Sequence, residues 1–174
     1  MNKKCVVLVV PFDGYQQDEY ELTRKTLEAA GISVKVASNK KGAAIAKDGS
    51  SCLIDLSIEQ LEETPCDGVF LIGGPGALEN LNSLKMHHIL KNLFKKDIVI
   101  GAICISPRIL AQAGILKNKK ATGWNDDGKL DEIFKQHQVK KADAKVVIDT
   151  NIITAEGPAA AQEFAETIVK KLIK

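Results

Sequence analysis

The chain has 174 residues, enough for one domain, spanning 1–174, with a sizeable core. Its 45% hydrophobic and 26% charged content is that of a water-soluble globular protein, and 24 lysines and arginines against 22 acidic residues call for no nucleic-acid partner. No stretch approaches the roughly 20 apolar residues of a membrane span, so membrane insertion is not expected either.

Taken in order, Cys5 to Val10 is an apolar run that reads as a first buried strand. Its basic flank resembles a signal peptide, but the run is short and meets Pro11 without a small-residue cleavage site. Gln16 to Ala30 has helical spacing and closes at Gly31, leading to a strand at Ser33 to Ala37. Ala43 to Ala46 and Cys52 to Ile54 flank Asp48-Gly49 as a hairpin, and Ile58 to Glu63 is a short helix. Gly68 to Ile72 is a buried strand ending in Gly73-Gly74-Pro75-Gly76, followed by a helix over Leu84 to Phe94. Ile98 to Ile103 is another buried strand, with a helix from Ile105 to Ala113 behind it. Ala121 to Gly123 is a brief strand and Leu130 to His137 a helix. A hairpin follows at Lys145 to Ile148 and Ile152 to Ala155, and Gly157-Pro158 opens the last helix, Ala159 to Leu172. Strands alternating with helices predict an α/β three-layer sandwich on a mainly parallel sheet. In such sheets ligands collect beyond the carboxyl ends of the strands, where five of these connections meet.

Cys104 sits where a buried strand turns into a helix, with Pro107 in the first turn. Unpaired N–H groups and the helix dipole favour thiolate there, and such settings lower a cysteine pKa from about 8.5 to roughly 3.5–7.5. The alternative is an inert core cysteine, the commoner fate of a thiol in an apolar run. Cys5, Cys52, Cys66 and Cys104 show neither zinc-ligand nor dithiol spacing, which suits reduced thiols in a cytoplasm.

On the first helix Asp18, Glu21, Lys25 and Glu28 form a polar stripe. Glu19 lies off it, on a face shared with Leu22 and Thr26, so its carboxylate is turned inward or simply favoured by the helix dipole. Gly73 and Gly74 let backbone N–H groups approach a ligand, and with the N–H of Ile105 they are candidate oxyanion donors; a ligand-free tight turn is the plainer reading. Neither a phosphate-binding loop nor a dinucleotide fingerprint is present, and no cofactor or metal is called for.

The combination is more specific than its parts. Gly73-Gly74 after a strand, Ala102-Ile103-Cys104-x-x-Pro107 with Leu110-Ala111-x-Ala113-Gly114, and Glu156-Gly157-Pro158 before a helix containing Glu163-Phe164-Ala165 resemble the ThiJ/PfpI superfamily, including its parkinsonism-associated protein deglycase branch. The resemblance covers nearly the whole chain. It implies a flavodoxin-like homodimer, a nucleophilic or oxidisable Cys104, and Glu19 hydrogen-bonded to that thiol. The departures concern histidine. Ile105 and Ser106 stand where the protease-like branch has its histidine after the cysteine, and Trp124 stands where the deglycase-like branch has one.

His87, His88 and His137 remain, and their spacing suggests surface residues. Peptide hydrolysis is therefore not expected, since the leaving amine needs a proton donor. A thiolate with a protonated Glu19 suits addition to a small reactive electrophile such as an α-oxoaldehyde or isocyanide, with Trp124 as a pocket wall and Asp126 or Asp127 as a second acid or base. Oxidation of the same thiol without turnover, in a stress or binding protein, is the competing expectation.

Overall fold

The computed structural model describes residues 3–173. β1 (Cys5–Val9) leads through β2 (Asp13–Tyr15) into α1 (Gln17–Ala29), β3 (Ser33–Ser38), β4 (Ala43–Ala46), β5 (Ser51–Leu53) and β6 (Leu56–Ser57). β7 (Gly68–Leu71), α2 (Ala77–Leu81), α3 (Leu84–Lys95), β8 (Val99–Ile103) and α4 (Pro107–Gln112) follow. The chain ends with β9 (Lys120–Ala121), α5 (Leu130–Gln136), β10 (Lys140–Lys141), β11 (Val146–Asp149), β12 (Ile152–Ala155) and α6 (Ala161–Ile173).

Seven strands form the central sheet in the order β11-β12-β8-β7-β1-β3-β6. All neighbours in it run parallel except β11 and β12. β7 and β8 are buried along their full length, because helices cover both faces and leave no polar side for alternation. One face packs Val7, Val69 and Ile100 against α3, α4 and α5 through Leu90, Leu110 and Phe134. The other packs Val6, Leu8 and Phe70 against α1 and α6 through Leu27, Phe164 and Ile168. The layers are helix, sheet, helix, as expected. A further three-stranded sheet, β2-β4-β5, carries the expected hairpin.

Local signals explain the helix limits. Ser83 caps α3 by accepting from the Met86 N–H at 3.1 Å, and Gly31, at φ 78°, ends α1 in the left-handed conformation. Several expected boundaries move. The helix expected from Ile105 starts at Pro107, because Cys104 to Ser106 form a tight turn of their own. The segment expected as a helix over 58–63 is a single 3-10 turn, and another 3-10 turn over Pro158–Ala160 delays the last helix. The short strand near residue 121 stops before Gly123. β2, β6, β10 and α2 were not legible as elements, being too short to show a period.

Candidate active site

The connections at the carboxyl edge of the sheet converge around Cys104. Its N–H donates to the Ala155 carbonyl at 3.0 Å and its carbonyl accepts from the Trp124 N–H at 2.8 Å, which ties the elbow to two neighbouring loops. A third tie is buried: the Ser106 hydroxyl donates to the Ile72 carbonyl at 2.8 Å. Held this way, Cys104 adopts φ 65°, a backbone conformation that costs a non-glycine residue energy and is sustained by its surroundings.

Glu19 reaches the elbow from the first turn of α1. The Gln16 N–H donates to the Gly73 carbonyl at 3.0 Å, clamping the helix start to the glycine turn. One turn on, Glu19 is fully buried and its Oε2 accepts from the Gly73 N–H at 2.8 Å. The inward carboxylate was legible, but its helix face was not: Glu19 is buried with Tyr20, Thr23 and Leu27, whereas Leu22 is exposed. Oε1 has no aligned hydrogen-bond partner, although the Cys104 thiol lies close enough for each group to shift the other.

Burial is the dominant electrostatic influence on both. It pushes Glu19 up to about 7, against the opposing pull of the Gly73 N–H, the thiol and the Lys47 charge. Burial also pushes the Cys104 thiol up to about 12, with the charge of Glu19 adding to it. The N–H groups of Ile105 and Gly74 act the other way and are outweighed. This reverses the lowered thiol pKa expected from the helix start. The reason is geometric: a resting carboxylate and a low-dielectric floor meet the sulfur, and α4 begins three residues later.

The two glycines divide the work. The Gly73 N–H is taken by Glu19, so it is not free to meet an oxyanion; Gly74 and Ile105 supply the donors that face the sulfur. Gly73 instead provides clearance, because a Cβ there would stand 2.5 Å from the Cys104 Cβ and 2.8 Å from Glu19 Oε2. Gly74, at φ 122°, would drive a Cβ to 2.4 Å from the Gly14 carbonyl.

A cavity of about 440 Å³ opens above the thiol. Trp124, Ile105, Pro75 and Pro158 give it apolar walls, while Gln16, Lys47 and Asp126 stand at its polar margins. Asp127 does not act as the second acid or base. It is forked by Arg108 at 2.9 and 2.5 Å, and that guanidinium holds its carboxyl down at about 2. Asp126 accepts from the Trp124 indole N–H at 3.0 Å. Sequence reasoning missed Lys47, Gln16 and Arg108; the last had a visible signal, a charged residue directly before the apolar run Ile109-Leu110-Ala111. None of the histidines borders the cavity, and His87 and His137 are half-buried rather than fully exposed. Among the described residues, no three His, Cys, Asp or Glu side chains group as metal ligands, and no helix is long and apolar enough to cross a membrane.

A parallel α/β sandwich with a cysteine elbow, a buried partner glutamate and a double-glycine turn at the strand ends defines the class, and residues 4–171 match the DJ-1/PfpI family model. The chain belongs to the DJ-1/PfpI family. An uncharacterized protein of Methanocaldococcus jannaschii is 32% identical to it, over 99% of this chain and 84% of that one. The glutathione-independent glyoxalase DJR-1.2 of Caenorhabditis elegans is 26% identical, over 98% of this chain and 89% of its own length. A ThiJ/PfpI domain protein from Brachyspira murdochii superposes with a TM-score of 0.91 at 27% identity, covering 99% of this chain and 98% of that one.

Proposed function

We propose that this protein is an enzyme acting on small reactive carbonyl compounds, with Cys104 as nucleophile and Glu19 as the group that moves its proton. One observation carries the reading: a buried carboxyl with a pKa of about 7 is coupled to a thiol on the floor of a cavity, with two backbone N–H groups facing the sulfur. A base of that pKa is matched to neutral pH. The relative named as a glyoxalase supports the same substrate class.

The raised thiol assigns Glu19 the role of general base rather than counter-ion to a resting thiolate. As sulfur bonds to the carbonyl carbon, the thiol proton passes to Glu19 and the carbonyl electron pair moves onto oxygen, facing the N–H groups of Gly74 and Ile105. Glu19 then returns the proton to that oxygen, giving a hemithioacetal. With an α-oxoaldehyde, Glu19 next takes the proton on the aldehyde carbon and delivers it to the neighbouring carbon, while the hydroxyl proton of the adduct passes to the neighbouring carbonyl oxygen through the enediol. One carbon is oxidised and the other reduced, so the adduct becomes a thioester of an α-hydroxy acid without an external oxidant. Water hydrolyses the thioester and restores the thiol.

The same raised thiol weighs against an oxidation sensor, because oxidants attack the thiolate. Protease action is not supported, since no histidine borders the cavity to carry a proton to the leaving amine. The test is methylglyoxal consumption by wild type, Cys104→Ser and Glu19→Gln: turnover in wild type alone supports the reading, and no turnover in any of them overturns it.

We also propose a homodimer, supported by the exposed apolar side chains of Leu22, Ile45 and Leu53 on α1 and the adjoining hairpin. Leu53→Lys is expected to shift the sedimenting species from dimer to monomer; a monomeric wild type would remove the proposal.

A further inference from the structure

Trp124 is the single tryptophan of the chain, and it is fixed from several directions. Its N–H donates to the Cys104 carbonyl, and its indole N–H donates to Asp126. Its carbonyl accepts from Arg108 at 3.1 Å, and the Arg108 guanidinium lies 5.4 Å from its ring centroid. Arg108 is itself almost wholly buried on α4, and its fork onto Asp127 pins the far side of the same loop. A two-point guanidinium–carboxylate pair fixes direction as well as distance, which a lysine at this place does not.

This effort of positioning serves a side chain that borders the cavity. The cavity, at about 440 Å³, is far larger than a three-carbon oxoaldehyde needs, and its walls are mostly apolar. A rigid indole beside such a space is a stacking surface.

We propose that Arg108 is a positioning residue that fixes Trp124 as a preformed aromatic platform, and that the preferred substrate is a reactive carbonyl compound bearing a flat aryl substituent. The proposal rests on the pocket being the carbonyl site described above and adds the substituent that it selects. A stacked aromatic pair is worth about 2- to 10-fold in affinity, and that gain belongs in KM.

Two experiments separate the proposal from the enzymatic reading beneath it. The first compares initial rates on phenylglyoxal and methylglyoxal. Wild type is expected to favour the aryl compound by about 2- to 10-fold in kcat/KM through KM, and Arg108→Lys and Trp124→Ala to lose that preference. The second needs no turnover: the alkylation of Cys104 by iodoacetamide, followed by mass, in the presence of acetophenone or acetone. Acetophenone is expected to protect wild type better, and the advantage to vanish in both variants.

Because Trp124 is the only indole, acrylamide quenching of its fluorescence reports its fixation directly, and it should rise in Arg108→Lys. Asp127→Asn, which keeps the arginine and removes half of the fork, is expected to do the same and serves if Arg108→Lys fails to fold by circular dichroism. Selective protection without turnover of either aldehyde sinks the catalytic reading and leaves the aryl pocket standing. Equal protection by the two ketones overturns the substrate class. Unchanged quenching in both fork variants overturns the role of Arg108.

Discussion

Glu19 and Gly73 lie 54 positions apart in sequence and are joined by a 2.8 Å hydrogen bond from the Gly73 N–H to Oε2. That bond holds one oxygen of a carboxylate that lies beside the Cys104 thiol. It places a titrating group of near-neutral pKa inside the fold, and most of what can be measured on this protein depends on it.

Stability should carry the signature of that buried carboxyl. Its folded pKa, about 7, lies above the ordinary 4.5, so between those values the folded state binds more protons than the unfolded one. The contribution is complete below pH 4.5 and is lost as pH rises through 7. Glu19→Gln removes it. In denaturant melts the variant should gain on wild type by on the order of 3 kcal/mol between pH 4 and pH 8. A constant difference across that range would show that the carboxyl is not held neutral.

Alkylation of Cys104 should be slow at neutral pH and still climbing at pH 9, because burial and the Glu19 charge hold the thiol up at about 12. Glu19→Gln takes the charge away and should move the profile to lower pH. A wild-type plateau below neutrality would mean a resting thiolate, and the proton-transfer role given to Glu19 would have to be reversed.

The pH dependence of kcat/KM should rise through about 7 as Glu19 loses its proton. Losing a general base typically costs about 10²- to 10⁴-fold, so Glu19→Gln should be slow at every pH and without that limb. An unaltered limb in the variant would assign it to another group.

Gly73→Ala tests clearance rather than chemistry. Its methyl group would meet the Cys104 Cβ at 2.5 Å, where two backbones and a clamped carboxylate leave little room to give. A destabilisation of about 1–3 kcal/mol and loss of activity are expected, measured by thermal melts and turnover. Full activity in this variant would show that the elbow can move.

The layered fold was legible because its signals are local. Apolar runs such as Val69 to Leu71 and Ile100 to Ile103 cannot be exposed, and helices such as α1 and α4 announce their ends with Gly31, Pro107 and Gly114. Cys104 was visible as the residue at a strand-to-helix junction for the same reason. The inward turn of Glu19 was one of two readings open to a glutamate lying off the polar stripe, which is a statement about one helix.

What the chain does with these groups depended on distances that no local pattern carries. Gly73 could be seen as a residue without a Cβ, but not that its N–H is committed to Glu19. Asp127 looked available, but Arg108 is forked upon it from α4. The thiol pKa went the other way from the sequence expectation, because the helix start could be read along the chain whereas desolvation and the Glu19 charge arise only when α1, the glycine turn and the elbow are folded together. Sequence by itself determined which side chains are able to do chemistry and which apolar runs are buried strands of the sheet. Tertiary structure alone decided which charges meet in the low-dielectric interior, and so which group holds the proton.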